Sequence, residues 1–273
     1  MALWTPSNLS ATLTAWQQGG TGVSVSSWTD SSGNGNNLVQ SDSDHQPALS
    51  SLNGNATLDF TNITQDHMDY GDLDAMDVGS GDFYCVVVIT PDTVAANRAI
   101  LAKHSGSDDY LLRIVSTKKI QQYIGSTSAG VATSSGHDDL VEGQTYIVVG
   151  RRNSSNQKIR LDGVERTSSG VLNANSFSNS RTFHVGGQGS TGELANFDGD
   201  ISEIIMGGGA IEVEEIEQVE GYLAERYNLA VLPDSHKYKQ HPPTESLEIS
   251  GTSGDIEGGL TLSVSSELTT VRI

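Results

Sequence analysis

The stretch DFYCVVVITP, residues 82–91, is a nearly unbroken apolar run, and it decides the fold class. Its length and its β-branched residues are typical of a strand buried in the core of a sandwich, not of a helix. Other strand-like segments follow, separated by clusters of Gly, Asn and Ser. This spacing predicts an all-β, two-sheet antiparallel sandwich with further strands at 98–103, 109–115, 119–124, 144–151, 157–162, 181–186 and 197–206.

Turn-forming residue pairs lie within or between these segments. Asn-Gly or Gly-Asn pairs occur in TDSSGNGNNL (29–38) and LNGNATLDF (52–60), and KIRLDGVERT (158–167) contains an Asp-Gly pair. Such pairs accept the positive φ angles that tight chain reversals require. The Asp-Gly pair therefore predicts a hairpin.

Residues 212–227 depart from the strand pattern. Ile216, Val219, Leu223 and Tyr227 recur at steps of three and four residues, which places them on one face of a helix. Glutamates crowd its start and an arginine lies in its last turn, as the helix dipole favours. The pattern predicts one helix, although its start offers no Ser, Thr or Asp as N-cap.

The C-terminal region predicts two further segments. Each residue before a proline avoids the α region, so 237–245 is predicted to be an extended linker after a domain of residues 1–236. Residues 246–273 alternate apolar and polar positions and predict two or three short strands. These are too few to form a core alone, so we expect this β tail to serve anchoring or oligomerisation.

Composition and charge exclude several classes of protein. The 34 acidic and 15 basic residues give a formal net charge of −19, which disfavours binding to nucleic acid or anionic membranes. The only cysteine, Cys85, rules out an internal disulfide and is expected to be a small buried residue. The N-terminus lacks the features of a secretory signal, and no apolar run is long enough for a membrane helix.

Four stretches together resemble the laminin-G-like, concanavalin-A-like jelly rolls of bacteriophage and marine bacterial proteins. The resemblance covers about residues 3–243 and implies a jelly-roll sandwich whose closing helix packs beside the sheets. Ile211 and Glu212 stand where the family usually has a Ser or Thr cap. The stretches are LTAW with VSSWTDSSGNGNNLVQSDSDHQPAL (25–49), LNGNATLDF, FHVGGQGSTGELANFDGDISEIIM (183–206) and VEGYLAERYNLAVLPDSHKYKQHPP (219–243).

Catalytic motifs find no support in the sequence. A hydrolase of this fold needs two facing carboxylates, and no strand has the Glu-x-Asp-x-x-Glu spacing. In FDGDISEII (197–205), strict alternation predicts that Glu203 shares a face with Phe197 and Ile201 and accepts backbone hydrogen bonds. The glycines of GGQGSTG (186–192) precede a strand, so they cannot place a pyrophosphate at a helix N-terminus. We therefore expect a protein that is not an enzyme.

An acidic loop, DHMDYGDLDAMD (66–77), is the candidate metal site. Carboxylates are the hard oxygen ligands that Ca²⁺ takes, but the spacing is not that of an EF-hand. The resemblance adds weight, since jelly rolls of this type often bind Ca²⁺ at a rim; a solvated acidic loop is the alternative. No cofactor is certain, and Ca²⁺ is the one considered, with Asp66, Asp69, Asp72, Asp74 and Asp77 as its candidate ligands.

Glycan binding needs exposed aromatic rings beside amide or carboxylate groups. Several positions offer this chemistry, although the tyrosines could equally edge the core. The candidates are Tyr70, His104, Asp108, Asp109, Tyr110 and Tyr123.

The sequence alone leaves three functions open. The first is a bacteriophage virion protein, a capsid decoration or head-fibre or tail-fibre component that presents the jelly roll for glycan adhesion. The others are a carbohydrate-binding module of a bacterial surface protein and, less favoured, a polysaccharide hydrolase. The first predicts assembly with virion proteins and with copies of itself through the tail. It also predicts surface polysaccharide as a ligand and location in the virion after synthesis in the host cytoplasm.

Overall fold

The computed structural model describes residues 4–20, 22–104, 109–125, 131–167, 171–172, 178–189 and 191–244. This part of the chain contains eighteen β-strands, three short 3₁₀ helices and one α-helix, α1, at Val213–Arg226. The strands are β1 Ala15–Gln17, β2 Val23–Ser24, β3 Ser27–Trp28, β4 Leu38–Val39, β5 Ala48–Leu52, β6 Asn55–Phe60, β7 Met68–Asp69, β8 Phe83–Pro91, β9 Arg98–Lys103, β10 Asp109–Val115, β11 Lys119–Gly125, β12 Val131–Thr133, β13 Tyr146–Asn153, β14 Asn156–Leu161, β15 Val164–Glu165, β16 Val171–Leu172, β17 His184–Val185 and β18 Gly199–Gly208. The 3₁₀ helices are Pro6–Asn8, Ser43–His45 and Asp74–Met76.

Two antiparallel sheets form the sandwich. The back sheet has the order β15-β14-β13-β8-β18-β6-β5, with β1 beside β18 and β16 beside β14. The front sheet has the order β12-β11-β10-β9-β17-β7-β4-β3-β2. This arrangement confirms the predicted all-β sandwich, and the strands predicted at 98–103 and 109–115 have the predicted bounds. The strand predicted at 181–186 is shorter, because only His184–Val185 pairs.

Strand β8 lies in the middle of the back sheet and is buried on both faces. Cys85 and Val87 point into the main core between the sheets, whereas Tyr84 and Val86 belong to a second apolar cluster on the outer face. Burial on both faces explains the unbroken apolar run, since neither set of alternating side chains meets water. Cys85 is buried as predicted, and burial raises the pKa of its thiol to about 11.

Helix α1 covers the outer face of the back sheet, as predicted. Ile216, Val219 and Leu223 are fully buried and complete the second apolar cluster. At the helix start, the Glu215 carboxylate accepts hydrogen bonds from the Ser10 N–H at 2.7 Å and from the Ser10 hydroxyl at 2.6 Å. This carboxylate ties the N-terminal segment to the helix. Among the described residues, no helix has the length and apolar character needed to span a bilayer.

Two hairpins contain the predicted turn pairs. Asn53 and Gly54, with φ of 48° and 88°, join β5 to β6. Asp162 and Gly163, with φ of 51° and 78°, join β14 to β15. Positive φ at both central residues matches the twist of the flanking strands and confirms the turn prediction.

The segment predicted as a linker is instead packed on the domain. Its residues 237–240 form turns and bends and not an extended chain. The Tyr238 hydroxyl donates to Glu214 Oε1 at 2.7 Å, and the Pro243 carbonyl accepts from the Trp4 N–H at 3.2 Å. The packed part of the chain therefore continues past residue 236, because a buried tyrosine and the chain start hold this segment. The predicted β tail, 246–273, lies outside the described residues.

Candidate functional site

A cavity of about 370 Å³ opens where the N-terminal segment, helix α1 and the C-terminal segment meet. We call it the terminal cavity. It combines aromatic, amide and charged side chains, and its lining residues are Trp4, Thr5, Gln18, Asn55, Tyr222, Glu225, Arg226, Pro242 and Pro243.

Aromatic rings build one wall of the terminal cavity. The Tyr222 ring meets Trp4 and Trp16 edge to face, each with ring centroids 6.2 Å apart. Trp4 is 4% exposed and Tyr222 is 9% exposed, so each presents an edge and not a full face to the cavity. Packed aromatic edges of this kind form a rigid apolar wall.

Amide side chains are held at the rim of the terminal cavity. Gln18 donates from Nε2 to the Tyr222 hydroxyl at 3.0 Å, and Asn55 donates from Nδ2 to the Arg226 carbonyl at 3.2 Å. These bonds hold both amide side chains at fixed positions on the rim, and an amide group can both donate and accept hydrogen bonds.

Behind this wall lies the buried carboxylate of Glu203. It accepts hydrogen bonds from Trp16 Nε1 and from the Tyr227 hydroxyl, both at 2.8 Å, and Arg226 Nε lies 3.1 Å from its Oε2. Burial raises the pKa of the Glu203 carboxyl, while the Trp16 N–H and the Arg226 charge partly oppose that rise. The network fixes Arg226 in the floor of the cavity.

A β-bulge explains why Glu203 faces the helix. The pairing of β18 with β8 shifts between Ile201 and Glu203, so Ser202 is an extra residue. Ile201 and Ile204 consequently point into the main core, while Ile205 joins the helix-side cluster. The prediction that Glu203 shares a face with Ile201 is wrong, since an inserted residue reverses the alternation. Its partners include the Trp16, Tyr227 and Arg226 side chains, not only backbone groups.

A second polar cluster lies on the front sheet, at the junction of β7 and β17. Asp69 stands opposite His184 in the strand register, and His67 precedes β7 on the same face as Asp69. The ligand atoms of these three side chains lie within 4.8 Å of one another. We call this group the front-sheet cluster.

The comparisons with known proteins concern the sandwich that carries both sites. A laminin G family model, described as the concanavalin A-like lectin/glucanases superfamily, matches residues 66–217, more than half of the chain. The chain belongs to this superfamily. No curated protein matches the sequence.

Several solved structures share the fold of this superfamily member, although their sequence identity to it is low. Domain 4 of AbnA, a GH43 extracellular arabinanase from Geobacillus stearothermophilus solved with arabinotriose, gives a TM-score of 0.58 at 16% identity, over 77% of this chain and 98% of that one. The binding domain of Paraclostridial Mosquitocidal Protein 1 gives 0.61 at 11% identity, over 80% and 53%. Trypanosoma rangeli sialidase with sialic acid gives 0.55 at 15% identity, over 86% and 35%. This chain thus spans about half of the second chain and a third of the third, and these likenesses establish the fold alone.

The predicted calcium ligands do not form one site in this concanavalin A-like domain. Asp66 is buried and accepts from the Thr61 N–H at 2.9 Å and the Thr64 hydroxyl at 2.6 Å, so it stabilises a turn. Asp69 belongs to the front-sheet cluster. The five aspartates are divided because strand β7 runs between Asp66 and the later Asp72, Asp74 and Asp77.

Asp72, Asp74 and Asp77 do lie together, but a lysine already pairs with two of them. The fully buried Lys103 ammonium lies 2.8 Å from Asp72 Oδ1 and 2.6 Å from Asp77 Oδ1. A positive charge at this place competes with a calcium ion for the same oxygens. Calcium binding stays a prediction, and the Lys103 position argues against it here.

The predicted glycan-binding residues are dispersed. Tyr110 is fully buried in the main core and Tyr123 is 1% exposed, so neither ring is available to stack on a sugar, which corrects that part of the prediction. Tyr70 is half-buried and donates its hydroxyl to Gln17, and His104 lies beside the Tyr123 ring. Asp108 lies outside the described residues, and Asp109 is described only as the first residue of β10.

The residues of the terminal cavity were not predicted from the sequence. Trp4, Asn55 and Tyr222 come from three distant segments and meet only after the helix closes over the back sheet. The one usable signal is the helical pattern, in which Tyr222 and Arg226 are one turn apart and share a face. The partner segments of that face have no signature in the sequence.

Proposed function

We propose that the chain is a carbohydrate-binding module that holds a neutral sugar in the terminal cavity. The observation that carries this proposal is the aromatic wall of Trp4 and Tyr222 beside the amides of Gln18 and Asn55. Sugars present apolar C–H faces and hydroxyl groups that both donate and accept, and this wall and rim complement both.

The size of the terminal cavity supports a small ligand. Its volume of about 370 Å³ lies at the lower end of the range of about 300–1,000 Å³ for small-molecule pockets. Because Trp4 and Tyr222 expose only their edges, contact with a sugar is confined to one end of a chain or one branch. The proposed ligand is therefore a terminal sugar unit and not the middle of a long polymer.

The chemistry of the carboxylates favours binding over hydrolysis. Glu203 is 1% exposed and its oxygens are already engaged by Trp16, Tyr227 and Arg226. A general acid must reach the glycosidic oxygen, and a sealed carboxylate does not. Glu225 is the exposed carboxylate among the lining residues, and one carboxylate does not supply the two roles that hydrolysis requires.

Superfamily membership supports the class of function and not the position of the site. All nine lining residues of the terminal cavity lie outside the matched range 66–217. The AbnA domain was solved with arabinotriose, and that ligand is a reasonable first member of a test panel. The cavity itself is built from the terminal segments of this chain, so its ligand has to be found by experiment.

A glycan array followed by calorimetry tests the proposal. Gln18→Ala removes a rim amide together with its hydrogen bond to the Tyr222 hydroxyl, and Glu225→Gln removes a rim charge. Each should weaken binding of an array hit about 2–10-fold, the effect of one hydrogen bond. Glu217→Gln, on the same helix but outside the cavity, is the matched control and should bind normally. An array without hits, or a hit whose affinity ignores both rim variants, would refute the proposal. Release of reducing ends from a bound polysaccharide would instead indicate a hydrolase.

Display on a bacteriophage particle, as a capsid decoration or fibre component, stays a prediction from the sequence. The acidic charge of −19 and the resemblance to phage jelly rolls support it, and the predicted anchoring tail lies outside the described residues. Mass spectrometry of purified particles is the direct test. Recovery of the protein only in the particle-free fraction would exclude a virion role.

A further inference from the structure

The front-sheet cluster has the geometry of a metal centre with preset imidazoles. His67 donates from Nδ1 to the Gln65 carbonyl at 3.0 Å, which leaves the lone pair on Nε2 facing the cluster. His184 donates from Nε2 to the Gly189 carbonyl at 3.1 Å, which leaves Nδ1 facing Asp69. Histidines that bind metals usually donate their other N–H to a carbonyl in this way, because the bond fixes the tautomer and the ring.

Both ring nitrogens of His184 face oxygen atoms. Nδ1 lies 2.5 Å from Asp69 Oδ1, and both nitrogens of the ring face acceptor oxygens. A neutral imidazole has one N–H and cannot satisfy both. With its one N–H donated from Nε2 to the Gly189 carbonyl, the ring has the Nδ1 lone pair facing Asp69, and a cation at this point would bind both groups.

Gly189 and Gly192 form the back of the cluster. Gly192 lies so close to His67 that a methyl group at its Cα would meet the ring carbon Cδ2 at 2.4 Å. Asn196 holds Gly192 in place by donating to the Gly192 carbonyl at 2.8 Å, and it also donates to the Asp66 carbonyl at 3.1 Å. Gly192 therefore lies against the His67 ring, and Gly189 accepts from His184.

We propose that His67 Nε2, the Asp69 carboxylate and His184 Nδ1 bind a divalent transition ion of the Zn²⁺ type. Two imidazoles and one carboxylate are a zinc donor set, whereas Ca²⁺ takes oxygen ligands. Zinc bonds of about 2.0–2.1 Å place tetrahedral donors about 3.3 Å apart, so the present spread of up to 4.8 Å must close slightly. The Asp69 side chain, 29% exposed, provides the movable ligand and leaves the fourth position to water.

One competing hydrogen bond must be displaced. Gln40 Nε2 lies 3.0 Å from His67 Nε2 and also donates to the His67 carbonyl at 3.1 Å. Loss of the first contact removes about 1 kcal/mol, which is small beside a metal–imidazole bond. Gln40 keeps the second contact and remains in place beside the ion.

Calorimetry with ZnCl₂ on tag-free, EDTA-treated full-length protein tests the site. The wild type should bind one ion with micromolar or tighter affinity, and Co²⁺ should give the visible bands of a tetrahedral centre. Asp69→Asn should lower zinc affinity at least about 10-fold. This variant should still fold, because the asparagine N–H can donate to His184 Nδ1. Millimolar Ca²⁺ should not compete.

Two further variants separate this site from adventitious binding. His184→Ala should abolish zinc uptake, whereas His241→Ala, at an exposed histidine, should bind as the wild type does. The proposal is overturned if the wild type takes up no zinc at 100-micromolar concentration (about the level where weak surface histidines begin to bind). It is also overturned if Asp69→Asn and His184→Ala bind zinc as tightly as the wild type. In that case a proton, not a metal, joins His184 to Asp69.

Discussion

Asp162→Asn isolates the effect of one half-buried charge in a hairpin turn. Asp162 begins the two-residue turn between β14 and β15 with φ of 51°, and its Oδ1 accepts from the Ile147 N–H at 2.8 Å. Asparagine tolerates this φ and can accept the same hydrogen bond, so the substitution removes the charge and little else. Burial raises the pKa of the Asp162 carboxyl from 3.8 to about 7; the Ile147 bond opposes the rise, and Glu220 adds to it.

The sign and size of the effect follow from that pKa. The folded state holds the proton more tightly than the unfolded state, so the ionised carboxylate opposes folding above pH 7 and has no effect below pH 3.8. At about 1.4 kcal/mol per pH unit, the interval corresponds to about 4 kcal/mol. The asparagine variant should therefore match the wild type near pH 4 or below and exceed it by about 4 kcal/mol at pH 8.

Urea unfolding at half-unit steps from pH 4 to pH 8 measures this difference. The gain of the variant should grow through that window and correspond to roughly 10 °C in Tm at pH 8. Asp44→Asn, at an exposed aspartate, is the control and should follow the wild-type profile. A gain that does not change with pH would show that the turn geometry, and not the buried charge, determines the effect. No gain at pH 8 would refute the raised pKa.

Two further substitutions test buried ion pairs by urea unfolding, one at Glu203 and one at Lys103. Glu203→Ala leaves the Arg226 charge unpaired behind the terminal cavity and should lower the free energy of unfolding by about 3–5 kcal/mol. Truncation of the exposed Glu225 should lower it by under about 0.5 kcal/mol, and similar losses for both would contradict the network. Lys103→Met should lose about 2 kcal/mol, because Asp77 remains half-buried without its cation. Millimolar Ca²⁺ should restore stability to this variant and not to the wild type; equal stabilisation of both would show that calcium binds despite Lys103.

The sequence was sufficient for elements whose signal is local. The apolar run of β8 predicts a strand buried on both faces because no alternation is left in it. Helix α1 follows from the three-and-four spacing of Ile216, Val219 and Leu223. In each case a few adjacent residues contain the whole physical reason for the structure.

Elements that depend on contacts between distant segments were missed or misplaced. The bulge at Ser202 changes the face of Glu203, and nothing in FDGDISEII marks the extra residue. Lys103 was correctly placed in a strand, but its burial against Asp72 and Asp77 depends on a loop from another part of the chain. Alternation and turn chemistry do not contain this information.

The two sites illustrate the same limit. His67 and His184 are far apart along the chain and show no metal-ligand spacing. They come together only because antiparallel strands pair across the front sheet. The tyrosines chosen for glycan binding had suitable chemistry, but burial decided against Tyr110 and Tyr123. Residue type can therefore suggest a function before the fold is known. The solvent accessibility of a side chain, in contrast, cannot be inferred from residue type.

The distribution of charge connects the fold with the type of sugar proposed. Several of the 15 basic residues are buried against carboxylates or carbonyls, including Lys103, Arg152 and Arg160. Their burial leaves the surface dominated by acidic groups, and the field of such a surface repels anions. In the terminal cavity, Arg226 is already neutralised by Glu203, and Glu225 adds an exposed negative charge. A carboxylated or sulfated sugar would meet repulsion, and Arg226, the one cation among the lining residues, is already paired, so the cavity should select neutral sugars.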